Sequence, residues 1–383
     1  MTIDVRAMES AEAAEFYITA VPSTAATAEK QAEEVFSTIR DVLRKTNARL
    51  FEERIFAAES ALKRIGPIRA RIYGDLDDGV PPTRLIAPQP IRAGRTSSEV
   101  GAIAGVHVHA IRGNSAPAPL RLGKSPHGRW VSVKGRRYAA LSGLSAPRAG
   151  SAPEQARKTY EKAEAVLKRV GADMRSVART WVWLDDILSW YGDFNRARSR
   201  FFLERGLLDG KPEEGQPPAS TGIGVSLAGG ARCGLDLIAV FGPGASLTHY
   251  RVAGTQGFAY KYGSAFSRAS SAPMPAGETI FVSGTAAIDA HGATQHIGDA
   301  RAQIRDTIAH VRAVLKDMNC TDQDVVQATV YCKTAEIEAI FRKGQRRLVW
   351  PHIMVISDIC RDDLLVEIEA TACPGARKLQ MTQ

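Results

Sequence analysis

Two carboxylates near the end of the chain, Glu367 and Glu369, alternate with Val366, Ile368 and Ala370, so a strand here turns both to one face. On a solvent face the pair is an ordinary polar stripe. Against apolar walls a carboxyl keeps its proton toward neutral pH and can serve as a general acid. Arg268 and Arg361 offer planar forked cations, which suit carboxylate recognition better than lysine does. Cys360 stands a few positions before Glu367 and by default is a small buried hydrophobe. His107 and His109 also alternate on one strand, but no acidic or cysteine partner falls at usable spacing, so no metal is expected. The five cysteines (Cys233, Cys320, Cys332, Cys360, Cys373) include no C-x-x-C pair and read as reduced thiols. Trp181 and Trp183 share a face and read as core.

The elements that must position these groups recur along the chain. Residues 281–373 spell strand (281–285), helix (299–318), strand (325–331), helix (337–348) and strand (364–370). Residues 138–242 repeat that order, with strands at 138–144, 177–183 and 234–240 and helices at 156–170 and 193–205. Ser142-Gly143 and Ser283-Gly284 follow the first strand of each copy, and Asp236 and Ile238 stand where the third copy has Glu367 and Glu369. A fainter copy opens the chain, with strands at 16–19, 50–56, 80–86 and 101–108, a helix at 29–46 and a damaged second helix. Gly-, Ser- and Pro-rich stretches at 112–129 and 242–275 read as connectors. The expected units are 1–111, 112–244 and 245–383.

Composition narrows the function classes. With 383 residues, 44% hydrophobic and 24% charged, the chain is globular rather than disordered or fibrous. No apolar run is long enough to span a membrane, and the acidic start does not suit a signal peptide, so a cytoplasmic location is expected. The net charge of +9 is scattered, without a basic block, which argues against nucleic acid and for a small anionic substrate.

Taken together, Ser283-Gly-Thr285, the long helix after it, Thr329-Val-Tyr331 and Val366-Glu-Ile-Glu-Ala370 resemble the RidA/YjgF (chorismate-mutase-like) fold. From about residue 100 to 373 the chain is similar more specifically to the chorismatases. The segments are Pro218-Ala-Ser-Thr-Gly-Ile-Gly224, Phe266-Ser-Arg-Ala269, Val282-Ser-Gly-Thr-Ala286 and Ile359-Cys-Arg-Asp-Asp-Leu-Leu-Val-Glu-Ile368. Two departures stand out: Trp181-Val-Trp-Leu-Asp-Asp186 replaces an aromatic-Asn-Tyr cluster, and Tyr260-Lys-Tyr-Gly-Ser-Ala265 is a shortened insertion.

The resemblance implies an α+β chain of tandem RidA-like repeats closed into a pseudo-trimeric barrel, either monomeric or self-associated. It implies a cofactor-free enzyme that cleaves the enolpyruvyl ether of chorismate, releasing pyruvate and a hydroxybenzoate. Glu367 and Cys360 are then the catalytic residues, and Arg268, Arg361, Thr221, Gly222, Ala286 and Glu369 bind substrate. The cysteine at 360 points to 3-hydroxybenzoate as the ring product. Two other readings are an enamine or imine deaminase, for which only Arg84 keeps the Pro-x-Arg spacing, and a non-catalytic module that binds a small metabolite.

Overall fold

Three open sheets carry the chain, and each is built in the same strand order. The computed structural model describes residues 1–23, 26–87, 102–208 and 215–380. In sheet I the order is Thr83–Ile86, Arg49–Ala57, Ile103–Gly113, Ala13–Val21, Thr2–Glu9, flanked by the short strands Ser226–Leu227 and Arg377–Lys378. Sheet II runs Ala219–Ile223, Val177–Leu184, Cys233–Phe241, Arg136–Ser145, Ser125–Val133, Ala118–Leu122. In sheet III the order is His352–Ile356, Val325–Cys332, Val366–Ala372, Glu278–Ala286, Ala269–Pro273, Thr248–Tyr250.

Each sheet pairs one parallel strand at or near its edge (83–86, 219–223, 352–356) with an otherwise antiparallel ladder. A parallel neighbour needs a crossover, and a helix supplies it each time. The helices are α1 (Ala28–Thr46), α2 (Glu59–Tyr73), α3 (Ala152–Lys168), α4 (Ile187–Glu204), α5 (Ala300–Asp317) and α6 (Ala335–Gly344), with α2, α4 and α6 the crossovers. Each helix pair closes a core against its own sheet; in α1 the buried Ala32, Val35, Phe36, Ile39, Val42 and Leu43 recur at helical spacing. The opposite faces of the three sheets meet in one shared core containing Phe56, Trp181, Trp183, Tyr331 and Ile353.

Several expectations change. Among the described residues no sheet closes on itself, so the expected barrel is not confirmed; sheets II and III touch through the isolated bridges Ala219↔Ser267 and Gly224↔Asp358. The second helix of the first copy is intact as α2 despite Pro67, because Ala61, Leu62, Ile65 and Ile72 bury a continuous apolar face that outweighs the proline penalty of roughly 3 kcal/mol. The stretch 112–129 is not a connector, since it holds the strand Ala118–Leu122 and the start of Ser125–Val133. Part of 242–275 is likewise strand. The strand start at Gly101 lies outside the described residues. Among the described residues no helix is long and apolar enough to cross a membrane.

The ladders also correct the match between copies. Asp236 pairs with Trp181 and faces the bulge at Ser142-Gly143, while Glu369 pairs with Thr329 and faces the bulge at Ser283-Gly284. Asp236 therefore corresponds to Glu369, not to Glu367. The position of Glu367, opposite Tyr331, is held by Gly234 opposite Trp183 in sheet II and by Gly105 opposite Phe56 in sheet I.

At both glycines a side chain from the adjoining sheet fills the space. A Cβ on Gly105 would stand 2.7 Å from Ile353 Cγ1, and one on Gly234 would collide with Leu227. Ile353 is fully buried, so Ile353→Ala is expected to cost roughly 2–5 kcal/mol in urea unfolding. Adding Gly105→Ala should refill part of that hole, and the double variant should be less destabilised than the sum of the single ones.

Candidate active site

Of the three corresponding positions, the one at the junction of sheets II and III stays open. Glu367 lines a cavity of about 760 Å³ there, within the usual size range for small-molecule sites. Sheet II gives Ser220 and Gly222, and α4 adds Tyr191, Asn195 and Arg198 at one-face helical spacing. Sheet III gives Gly284, Ala286 and Glu367, with Arg268 just before Ala269–Pro273. Cys360, Arg361 and Leu364 come from the segment before Val366–Ala372.

The local chain explains how a carboxyl fits. A Cβ on Gly284 would collide with Glu367 Oε1, so the bulge needs glycine where the carboxyl leans against it. Burial, with the neighbouring Glu369 charge second, pushes the Glu367 carboxyl up to about 8, while Arg179 and Arg268 pull in the opposite direction. At neutral pH it is an acid with a proton to give.

Among the described residues the cavity wall carries five cationic side chains (Arg196, Arg198, Lys261, Arg268, Arg361) against that single carboxyl, which suits an anionic ligand. Arg268 is pinned by Nε donating to Gly257 O at 2.8 Å and Nη2 donating to the Tyr262 hydroxyl at 2.6 Å. Arg361 donates from Nη1 to Gly292 O at 2.5 Å, and its guanidinium also lies over the Tyr262 ring. Arg198 is buried, held by Asn195 at 2.6 Å, with its Nε lacking a hydrogen-bond partner among the described residues. Burial and Glu367 push the Cys360 thiol up to about 12, so it faces the cavity as a neutral thiol rather than a nucleophilic thiolate.

The expected site residues thus separate into two groups. Glu367, Cys360, Arg268, Arg361, Gly222 and Ala286 line the cavity. Thr221 and Glu369 do not. Thr221 alternates with Ser220 and Gly222, so its hydroxyl turns the other way and accepts from Arg179 Nη2 at 2.5 Å. Glu369 shares the face of Glu367 but lies farther along the strand, where it accepts from Thr329 at 3.0 Å, Tyr331 at 3.2 Å and Arg179 at 2.8 Å. Arg84 is exposed on its strand, away from the cavity. His107 and His109 are buried, the first between Thr19 and Ala328 O, the second against Glu15 at 2.8 Å and stacked on Tyr17. Among the described residues no group of three or more metal-ligating side chains forms.

Sequence reasoning missed Tyr191, Arg198 and Tyr262. The arginine repeat Arg196-Ala-Arg198-Ser-Arg200 in α4 was a usable signal, because helical spacing puts Tyr191, Asn195 and Arg198 on one face.

The endoribonuclease L-PSP family model matches residues 264–373, about the span of sheet III. A 3-hydroxybenzoate synthase from Streptomyces hygroscopicus is 30% identical over 249 residues, 58% of this chain and 70% of the relative. The chain belongs to the chorismatase family. A chorismatase from the same organism is 28% identical over 215 residues, half of this chain and 60% of that one. A crystal structure of a chorismatase superposes with a TM-score of 0.57 at 19% identity, covering 85% of this chain and 93% of that one, which shows a shared fold. In this member of the chorismatase family, the family model stops short of α4 and Arg179, which come from the preceding repeat.

The raised Glu367 value has a thermodynamic consequence. An unfolded glutamate releases its proton near pH 4.3, whereas the folded one holds it to about 8, so the folded state binds one more proton across that window. The stability contribution is complete below about pH 4.3 and is lost as pH rises through about 8. Urea unfolding from pH 5 to 9 is expected to show a falling stability, and Glu367→Gln should remove part of that slope. Asp236, pushed up to about 7 by burial and Glu52, accounts for a further part.

Proposed function

We propose that the chain converts chorismate, with Glu367 as general acid, releasing pyruvate and a hydroxybenzoate, chiefly 3-hydroxybenzoate. The observation that carries this reading is a buried carboxyl, pushed up to about 8 and without a hydrogen-bond partner among the described residues, in a cavity that also holds five cationic side chains. An enol ether is activated by protonating its terminal methylene, and that needs an acid still protonated near neutral pH. Arg268 and Arg361, on the same wall, suit the two carboxylates of chorismate.

The chemistry closes without a cofactor. Glu367 protonates the methylene, which becomes the methyl of pyruvate, and the ether bond to the ring carbon breaks. The neighbouring ring hydroxyl oxygen bonds to that carbon and gives up its proton. The resulting strained ring opens and aromatises with loss of the ring proton, so the two products together hold every atom of chorismate and Glu367 regains its proton. Cys360 and the small Ala286 leave room for that ring movement, whereas a route through water would give a dihydroxycyclohexadiene acid instead.

Purified protein incubated with chorismate is expected to release pyruvate in a coupled assay, and release no faster than the spontaneous rate would sink the proposal. Glu367→Gln should lower kcat by about 10²–10⁴ with the fold intact, since the amide has no proton to give. The rate should hold at lower pH and fall as pH rises through about 8, because the protonated form is the active one. Chromatography of the ring product checks the role of Cys360. Cys360→Ala should change the product ratio, and an unchanged ratio reduces Cys360 to packing.

A further inference from the structure

We propose that Glu369 is a positioning residue, a fixed negative charge held behind Glu367 by Arg179, Thr329 and Tyr331, whose task is to keep the Glu367 proton on. This deepens the general-acid reading of the same site and rests on it. The argument is geometric first. Glu367 and Glu369 stand two residues apart on one face of Val366–Ala372, but only Glu367 reaches the cavity. Both Glu369 oxygens are taken up inside the protein: Oε1 by Thr329 and Tyr331, Oε2 by Arg179. No ligand in the cavity meets that carboxylate, so its charge stays in place through a reaction.

The cations that might cancel it are themselves committed. Arg179 is shared between Glu369 and the Thr221 hydroxyl, and Arg54, 3.7 Å from Glu369 Oε1, also pairs with Glu52. The charged and titratable groups facing Glu367 are Glu369 on its own strand, Arg179 from sheet II, Tyr191 from α4, Arg268 from sheet III and Cys360 from the preceding segment. Among these, Glu369 alone repels the ionised form of Glu367 at neutral pH, since the tyrosine and the thiol are pushed above their ordinary values and remain neutral. A like charge fixed at this range in a buried site favours the protonated partner. A substrate-binding role for Glu369 would instead need it to line the cavity, and it does not.

The test reads the Glu367 carboxyl directly, by carbon-13 NMR of labelled glutamate or infrared difference spectra, assigned with Glu367→Gln. Glu369→Gln is expected to lower the Glu367 midpoint by about one pH unit or more, and Arg179→Gln to raise it. Where activity is present, the alkaline limb of the rate profile should move with the midpoint while the plateau at lower pH changes little. Glu369→Asp keeps the charge and should stay near the wild-type midpoint. An unmoved midpoint in Glu369→Gln overturns the proposal. If that chain does not fold, a Glu367 midpoint in Glu369→Asp that moves down by about one pH unit or more, with the charge kept, overturns it instead. Because the readout needs no substrate, a shifted midpoint without pyruvate release overturns only the chorismate reading. Pyruvate release with an unmoved midpoint overturns only the role of Glu369.

Discussion

Where the inner faces of the three sheets meet, two guanidinium groups and their carboxylates are buried together. Arg54 of sheet I and Arg179 of sheet II lie over the ring of Trp181, with centroid distances of 4.0 and 4.8 Å, and both reach Glu369 of sheet III. Taking such charges out of water costs several kcal/mol per ion, and only mutual pairing recovers it. The arrangement contributes little net stability, yet removing one partner leaves a buried charge uncompensated, at a cost of about 3–5 kcal/mol. Its consequence is dependence across sheets: Glu369 of sheet III draws its cations from sheets I and II, while Arg54 also pairs with Glu52 of its own sheet. Burial, with the neighbouring Arg54 charge adding to it, pulls Arg179 down to about 10 against the attraction of Glu369.

That shared centre leaves three corresponding junctions, and they have not been treated alike. Gly105 and Gly234 let Ile353 and Leu227 fill two of them with hydrocarbon. At the third the same strand position carries Glu367, the bulge opposite carries Gly284, and the space in front of them remains a cavity. Filling two junctions secures the packing that holds the charged centre, because an apolar side chain needs no partner. Keeping one open concentrates the chemistry there. The open junction is also where α4 departs from regularity: Trp190 takes non-helical angles and donates to Asp185 O, and the following turns bring Tyr191, Asn195 and Arg198 to the cavity.

Much of this was legible in the sequence, and the failures have definite causes. The repeated strand and helix order and the two matching Ser-Gly pairs could be read because period and motif are local properties. The pairing of Asp236 with Glu367 was wrong by two residues. A slip of two keeps every side chain on its face, so alternation cannot detect it; only the ladder positions of Trp181 and Thr329 do. Thr221 and Glu369 were placed in the cavity because they belong to matching segments, yet their hydroxyl and carboxylate are drawn toward Arg179, a residue that no nearby motif marks. The hairpin strands within 112–133 were hidden by their Gly, Ser and Pro content, which reads as loop although the edge of a sheet tolerates it. For α2, tertiary packing overrode the proline signal.

The region matched by the endoribonuclease L-PSP family model holds Glu367, Arg268, Cys360 and Arg361, and would read by itself as a complete site. It is not one. The charge balance behind Glu367 depends on Arg179 from sheet II and Arg54 from sheet I, and more than a third of the cavity wall comes from α4 and Ala219–Ile223. A lone unit of this fold would have to find those groups on other copies of itself, and identical copies would supply identical residues at all three junctions. Joining the units in one chain removes that constraint. Position 54 can be Arg while its counterparts are Trp181 and Thr329, and Glu367 can face a cavity while its counterparts are glycines. The asymmetry that leaves one junction open with a carboxyl in it is therefore available to a fused chain; the shared apolar core joins the three unequal parts, and the buried ion pairs make them depend on one another for charge.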